Sequence, residues 1–329
     1  MKLDNVTPVP AILWRTIMDQ DRIAAAVVAR ATYRVVEGRL LLDSEQSWLI
    51  DTSEYETPVG KLIPEDCFFR GGVDVLVFGS ARAPRRQPTQ KIEVRVQIAD
   101  FVGGVDVYGE RRWKRTFAGG GDLQMSAPEL VLEHPLDLDT AYGGVQPWDG
   151  LQIPFVSNPG GKGFYSELEH AIDQPLPNIE DPRRPIVRWQ DQPDPVGVGF
   201  APLGFGPKTR RSVEFDDRGV MTRIDPSLFN AAFPDMVAPK QAVVPGAACT
   251  VYGVLFEGPL SFRIPTLPLC THIDIGDAHV ERELQIDQIG IEPDERRVFI
   301  TYRYPFRYAV KRMEARACQL RWSPRAHEG

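Results

Sequence analysis

From Lys91 to Ile98 the apolar residues Ile92, Val94, Val96 and Ile98 alternate with Glu93, Arg95 and Gln97. A period of two is what a strand shows when one sheet face is buried and the other is wet. The same alternation puts Val27, Ala29, Ala31, Tyr33 and Val35 on one face of a strand and Arg30, Thr32 and Arg34 on the other. Glu37-Gly38 then turns the chain into a short partner at residues 40–42. Residues 74–78 are more continuously apolar, the pattern of a strand covered on both sides. Gly103-Gly104 reads as the turn that leads from the Lys91 strand into VDVYGERRW. Later strands are predicted at residues 249–255, 260–264, 269–275, 280–291 and 297–304, with Pro293 and Asp294 supplying the turn before the last.

Between these strand-rich ends, residues 114–245 are dense in proline, glycine and asparagine, as in AYGGVQPW, SNPGGKGF, QPLPNIEDP and QPDPVGVGFAPLGFGP. Proline lacks the amide donor and clashes with a preceding helical turn, so this stretch is neither regular helix nor interior strand. Its aromatics Tyr142, Trp148, Phe155, Phe164, Trp189, Phe200 and Phe205 point to ordered loops packed on the sheets, because disorder comes with few aromatics. Pro226 to Ala232 reads as a short helix, with Asp225 as its N-cap and Pro226 at its first position. The chain is therefore expected to be mainly β: antiparallel sheets in a sandwich or barrel-like core with a long Pro/Gly-rich loop insert. It is one unit of 329 residues, with sub-regions 1–113, 114–245 and 246–329 whose N- and C-terminal strands could share a sheet.

Composition changes this picture little. Hydrophobic residues at 43% and charged residues at 25% are ordinary for a globular chain and exclude disordered and collagen-like classes. A net charge of −7 argues against a nucleic-acid partner, which needs a basic footprint. Local basic clusters at Arg82, Arg85 and Arg86 and at Arg111, Arg112, Lys114 and Arg115 could meet an acidic partner or simply be solvated faces. No apolar run is long enough to span a bilayer and the N-terminus lacks a secretory pattern, so a soluble, cytoplasmic protein is expected. The four cysteines, Cys67, Cys249, Cys270 and Cys318, are widely spaced and read as reduced, packed thiols.

Candidate chemistry is sparse. NPGGKGF has the glycine amides and lysine of an anion cradle, but it lacks the spacing and the Ser or Thr of a phosphate loop. A structural turn or a partner-contacting loop fits it better. Cys270, His272 and Asp274 share one strand face, with His279 as a possible fourth metal ligand. Same-face residues on a straight strand lie about 6–7 Å apart, too far for one ion, so a polar outer face is expected and no cofactor or metal is assigned. None of the five histidines, His134, His170, His272, His279 and His327, sits in a nucleophile-elbow or HExxH context. The acidic pairs Glu180-Asp181 and Asp216-Asp217 read as solvated loop residues. On a strand Arg111 and Trp113 face one way and Arg112 the other. One arginine is then expected to pair internally with Asp74 or Asp106, an interface hot spot being the alternative.

DVLVFGSARAP at residues 74–84 and VYGERRW at 107–113 resemble the bacterial family known as domain of unknown function 2169. The likeness continues through HPLDLDTAYGG, SNPGGKGF, LPNIEDP, PVGVGFAPL, FNAAFPDM and IDQIGIEPDERRVFITYR. The resemblance implies a non-catalytic adaptor or chaperone encoded beside type VI secretion components. Such a protein binds a secreted effector, or toxin, and helps load it onto the valine-glycine-repeat spike protein. Leu138, Asp139 and Thr140 depart from the aromatic and basic residues that commonly precede the glycine turn in that family. They either tune which effector is bound or are idle drift. Loops around Tyr142, Gly143 and Gly144, around Asn158, Lys162 and Phe164, and around Asn178 and Glu180, with Arg111, Arg112 and Trp113, are the expected partner-binding surface, with no membrane or nucleic acid involved. Two rivals remain: an enzyme or a small-ligand, carbohydrate-like binder with these loops as its pocket, and a structural piece of the spike.

Overall fold

In a computed structural model of the chain, which describes residues 1–18, 21–46, 55–57, 60–62, 67–116, 122–202, 205–309 and 315–323, the alternating segments build a mainly β architecture. For residues 55–57, 60–62 and Trp148 the backbone alone is described. A 12-stranded sheet curls into a half-barrel. Its spine is Arg22–Val36 lying antiparallel to Arg297–Ala309, paired from Arg22 with Ala309 to Arg34 with Arg297. One arm continues through Arg39–Leu42, Leu260–Arg263, Ala248–Tyr252, Lys91–Ile98, Phe101–Tyr108 and Ile179–Glu180. The other arm runs through Gln285–Glu292, Val73–Val77 and Val237–Ala238, and Ala11–Ile17 pairs with the first half of Arg22–Val36. No helix among the described residues is long and apolar enough to cross a membrane.

The period-two reading holds at Lys91–Ile98, where Ile92, Val94, Val96 and Ile98 are buried and the intervening residues are half-buried or exposed. Val73–Val77 is buried at every position, as its apolar run requires. Glu37 (φ +50°) and Gly38 (φ +76°) form the two-residue turn into Arg39–Leu42. Pro226–Phe229 forms a short 3₁₀ turn in which the Asp225 carboxylate accepts from the Ser227 amide at 2.9 Å.

Three expectations about strands and turns need correction. First, Arg30 and Thr32 are not on a wet face: both are buried. Arg30 donates to Thr301 Oγ1 at 2.9 Å and to Gln288 Oε1 at 2.8 Å, and its guanidinium lies over the Phe299 ring. These partners come from strands more than 250 residues away, so local alternation carries no signal of them. Second, residues 280–291 are two strands. Ala278–Glu283 joins one sheet and Gln285–Glu292 the other, with buried Leu284 donating its amide to Leu269 O at 2.9 Å where the chain changes sheet. Third, Gly103 and Gly104 lie inside Phe101–Tyr108, and the turn is made by Ala99 (φ +49°) and Asp100.

Both glycines mark close backbone approach. A Cβ on Gly103 would sit 2.8 Å from Met236 Sδ and 2.9 Å from Asp235 O. There Pro234–Met236, just ahead of Val237–Ala238, packs on Phe101–Tyr108 and brings the two arms of the curled sheet together. Gly104 has φ +146°, and a Cβ on it would overlap the Val94 carbonyl. Gly104→Ala is expected to cost about 1–3 kcal/mol in urea unfolding. Gly219→Ala, also at positive φ but with no atom within 4 Å of the added Cβ, should cost less; equal losses would refute the close-approach account.

A second, 4-stranded sheet closes the chain: Leu3–Asn5, Arg316–Trp322, Leu269–Ile275 and Ala278–Glu283, in that order. The first pair is parallel, joining residues near both ends of the chain. One large apolar cluster draws on both sheets, including Val94, Val96, Ile289, Ile300, Ile273 and Leu320.

Candidate partner-binding site

The two glycine-rich motifs of the middle stretch fold against each other. Tyr142–Gly143 pairs in parallel with Lys162–Gly163, and Phe164 N donates to Gly143 O at 2.9 Å. Asn158, fully buried, donates through Nδ2 to Leu138 O at 2.8 Å and Tyr142 O at 3.1 Å, while its main-chain carbonyl accepts from Gly144 N at 2.9 Å. Gly143 (φ +154°) is required because a Cβ would overlap Asn158 O. The interlock roofs a second apolar core of Trp113, Leu123, Tyr142, Phe164, Tyr165 and Leu176. Phe155 bridges it, edge-on to Tyr142 at 5.0 Å and 5.4 Å from Phe164. Burial pushes the hydroxyls of Tyr142 and Tyr165 well above the ordinary tyrosine range, so both stay protonated.

Arg111 lies not on a strand but in the link between Phe101–Tyr108 and Trp113–Arg115; it is buried and makes the expected internal ion pair with a different partner. Its Nη2 lies 2.6 Å from both Glu180 Oε1 and Pro177 O, and the guanidinium stacks 4.1 Å over the Tyr108 ring. Asp74 and Asp106 are engaged elsewhere, Asp74 by Arg70 and Asp106 by Lys91 and Arg95. Glu180 and Asp181 are thus not the solvated loop pair the sequence suggests: both are buried. Burial lifts the Glu180 carboxyl above its ordinary value, and Arg111 only partly offsets this. Asn178 Nδ2 donates to Tyr108 O at 2.9 Å and to Glu110 Oε1 at 3.2 Å, and Glu110 also holds Lys162 Nζ at 3.1 Å. Of the residues selected from sequence, Trp113, Tyr142, Gly143, Gly144, Asn158, Phe164, Asn178, Glu180 and Arg111 are buried. Arg112 is exposed, donating to Asp173 O at 2.9 Å, and Lys162 is half-buried. His327 lies outside the described residues.

A second polar constellation escaped sequence reasoning. Asp74 sits in the middle of an apolar strand, fully buried. It pairs with Arg70 and accepts from Asn230 Nδ2 at 2.9 Å, Ala231 N at 2.8 Å and Ala232 N at 3.1 Å. Asn230 Oδ1 in turn accepts from Gly71 N at 3.0 Å and Gly72 N at 3.3 Å. Asp287 is the extra residue where the register of Gln285–Glu292 slips against Arg297–Ala309. The bulge aims its carboxylate at Arg303 and toward Arg70 Nε, 3.8 Å away, and Arg303 Nη1 donates to Cys67 O at 2.7 Å. With four donors on one carboxylate, Asp74 clamps residues 70–72 and 230–232 onto the sheet.

The outward side of the same sheet carries the open space. A groove of about 630 Å³ runs over Lys91–Ile98, between Val102 and the segment from Tyr252 to Pro259. Tyr252, Leu255, Pro84 and Pro259 give it apolar walls, and Arg82, Lys91, Glu93 and Arg95 a charged rim. The rim is internally paired: Lys91 Nζ lies 2.6 Å from Glu93, and Arg82 holds Glu133 at 2.8 Å and also Asp294. Val102, 60% exposed, lines this groove and a second one of about 550 Å³ that leads to Arg183 and Asp235. Arg86, from the basic cluster, lies 4.2 Å over the Phe256 ring.

Residues 20–303 match the family described as an uncharacterized protein conserved in bacteria (DUF2169). The chain belongs to this family. No curated protein and no solved structure matches it. The DUF2169 segments, far apart in sequence, converge in two places. Asp74, Asn230, Asp287 and Arg303 build the buried clamp, and Arg111, Tyr142, Asn158, Phe164 and Glu180 build the loop core. The signal for the clamp was present as charged residues inside apolar strands, Asp74 in VDVLV and Asp287 in QIDQIGIE. The groove left a fainter trace, an aromatic at the polar-face position Tyr252 just before Gly253 (φ +73°).

Proposed function

We propose that this DUF2169 chain is a non-catalytic adaptor or chaperone of type VI secretion. It binds a secreted effector and promotes its loading onto the valine-glycine-repeat spike protein. The observation that supports this most is the outward groove, with Tyr252, Val102 and Leu255 exposed or half-buried beside a rim of both charge signs. Apolar and aromatic walls inside a polar rim suit an effector segment, with the rim setting specificity. The likeness of the chain's motifs to family members encoded beside secretion components supports the pathway.

Capture of tagged protein from the native bacterium, with mass spectrometry of what stays bound, tests this reading. Wild type is expected to retain one large toxin and a spike protein. Tyr252→Glu and Val102→Glu, at exposed positions, are expected to lose the toxin while melting at an unchanged temperature. Capture unaffected by both variants would remove the groove from the mechanism. An empty prey list for soluble wild type would count against the adaptor itself. The groove's volume also falls in the range of small-molecule sites, so a thermal-shift screen with oligosaccharides is the matching test of the ligand-binding alternative. An adaptor stays in the cell, whereas a structural piece of the spike appears in the medium with the secreted apparatus.

A further inference from the structure

We propose that His272, Asp274 and His279 form a binding site for a divalent first-row transition-metal ion on the 4-stranded sheet. On a single strand, same-face residues are spaced too widely for one ion, but the hairpin Leu269–Ile275 and Ala278–Glu283 removes that obstacle. His279 stands directly across from Asp274 in the ladder, and His272 lies two residues along on the same face. The Asp274 carboxylate sits between the two imidazoles, with Oδ1 2.5 Å from His279 Nδ1 and 3.2 Å from His272 Nε2. One donor atom from each residue lies within 4.8 Å of the others. A tetrahedral ion with ligands at about 2.0–2.1 Å needs its donors roughly 3.3–3.4 Å apart, so side-chain rotations alone close the site.

The donor set selects the ion. Two imidazoles and one carboxylate suit Zn²⁺, Co²⁺ or Ni²⁺, whereas Ca²⁺ and Mg²⁺ want oxygen donors throughout. Glu281 stands across from His272, with Oε2 3.8 Å from its other ring nitrogen, and is itself held by Arg321 at 2.9 Å. A carboxylate in that place orients a ligating imidazole. Cys270 is not part of the set: it is buried, and its Sγ meets Glu281 Oε1 at 3.6 Å. Three protein donors leave a fourth position for water or for a ligand from a bound partner.

Full-length, untagged, chelator-treated protein titrated with Co²⁺ and then Zn²⁺ tests the site. The expected result is one Co²⁺ per chain with the visible absorption of tetrahedral coordination, displaced by one Zn²⁺. His279→Ala and Asp274→Asn should each weaken Zn²⁺ binding by roughly 100-fold, and the double variant His272→Ala/His279→Ala should abolish it. Glu283→Gln, on the same hairpin, should leave it unchanged. In wild type, Zn²⁺ should also slow amide exchange across residues 272–281, a readout independent of any variant. No saturable uptake, uptake retained by the double variant, or no change in exchange would each overturn the proposal.

Discussion

Asp74→Ala is expected to lower the unfolding free energy by about 3–5 kcal/mol, the cost of breaking a buried ion pair from one side. The carboxylate is fully buried and receives Arg70, Asn230 Nδ2 and the amides of Ala231 and Ala232. Its removal strips a buried guanidinium of its nearest carboxylate and leaves two amides without their acceptor, each orphan costing about 1–3 kcal/mol. Against a total stability of about 5–15 kcal/mol this takes the variant close to unfolding at 37 °C. Asp74→Asn, which keeps the shape and one acceptor oxygen, should fall between wild type and alanine. Urea midpoints are the measurement. A double-mutant cycle with Arg70→Met should return a coupling of at least about 1 kcal/mol, because neighbours in one network do not add. A loss below about 1 kcal/mol for Asp74→Ala would mean that the loops are held to the sheet by something else.

What could be read from the sequence was whatever a residue's neighbours along the chain determine. Lys91–Ile98 announced its two faces because burial there follows the alternation of the strand itself. Arg30 did not, because its cover is Thr301 and Gln288, brought alongside by strand pairing across most of the chain. The same limit explains Arg111: it lies in the link after Phe101–Tyr108, and its partner Glu180 comes from the short strand that pairs with Phe101–Tyr108, 69 residues further along the chain. NPGGKGF was legible as a turn, and its lock onto Tyr142-Gly143-Gly144 was not, since Asn158 reaches its acceptors 16 and 20 residues upstream. Gly103 and Gly104 were legible as glycines that matter and misread in kind. A tight turn and a close approach both demand a missing Cβ. The metal-ligand reading considered spacing along one strand and not spacing across the hairpin, where His279 stands opposite Asp274. The groove had no motif at all, because it is assembled from the outward residues of two adjacent strands and the loops beside them.

The second large effect separates the loops from the groove. Trp113, 2% exposed, is the largest side chain in the loop core, packed with Leu123, Tyr142, Phe164 and Leu176. Trp113→Ala is expected to cost about 3–5 kcal/mol through lost burial and the cavity left behind. The damage should be local, because the apolar cluster of the sheets is distinct from this one among the described residues. Amide exchange by mass spectrometry should show residues 138–180 losing protection while Lys91–Ile98 and Arg297–Ala309 keep theirs. Equal loss in both regions would mean the two cores unfold as one. With the loops loosened and the sheet intact, effector capture becomes decisive. Capture that survives Trp113→Ala and fails with Tyr252→Glu puts recognition on the sheet's outward groove, with the loop motifs serving as structure. Capture that fails with Trp113→Ala and survives Tyr252→Glu puts recognition on the loops, and the glycine-rich interlock then matters because it fixes their outer surface.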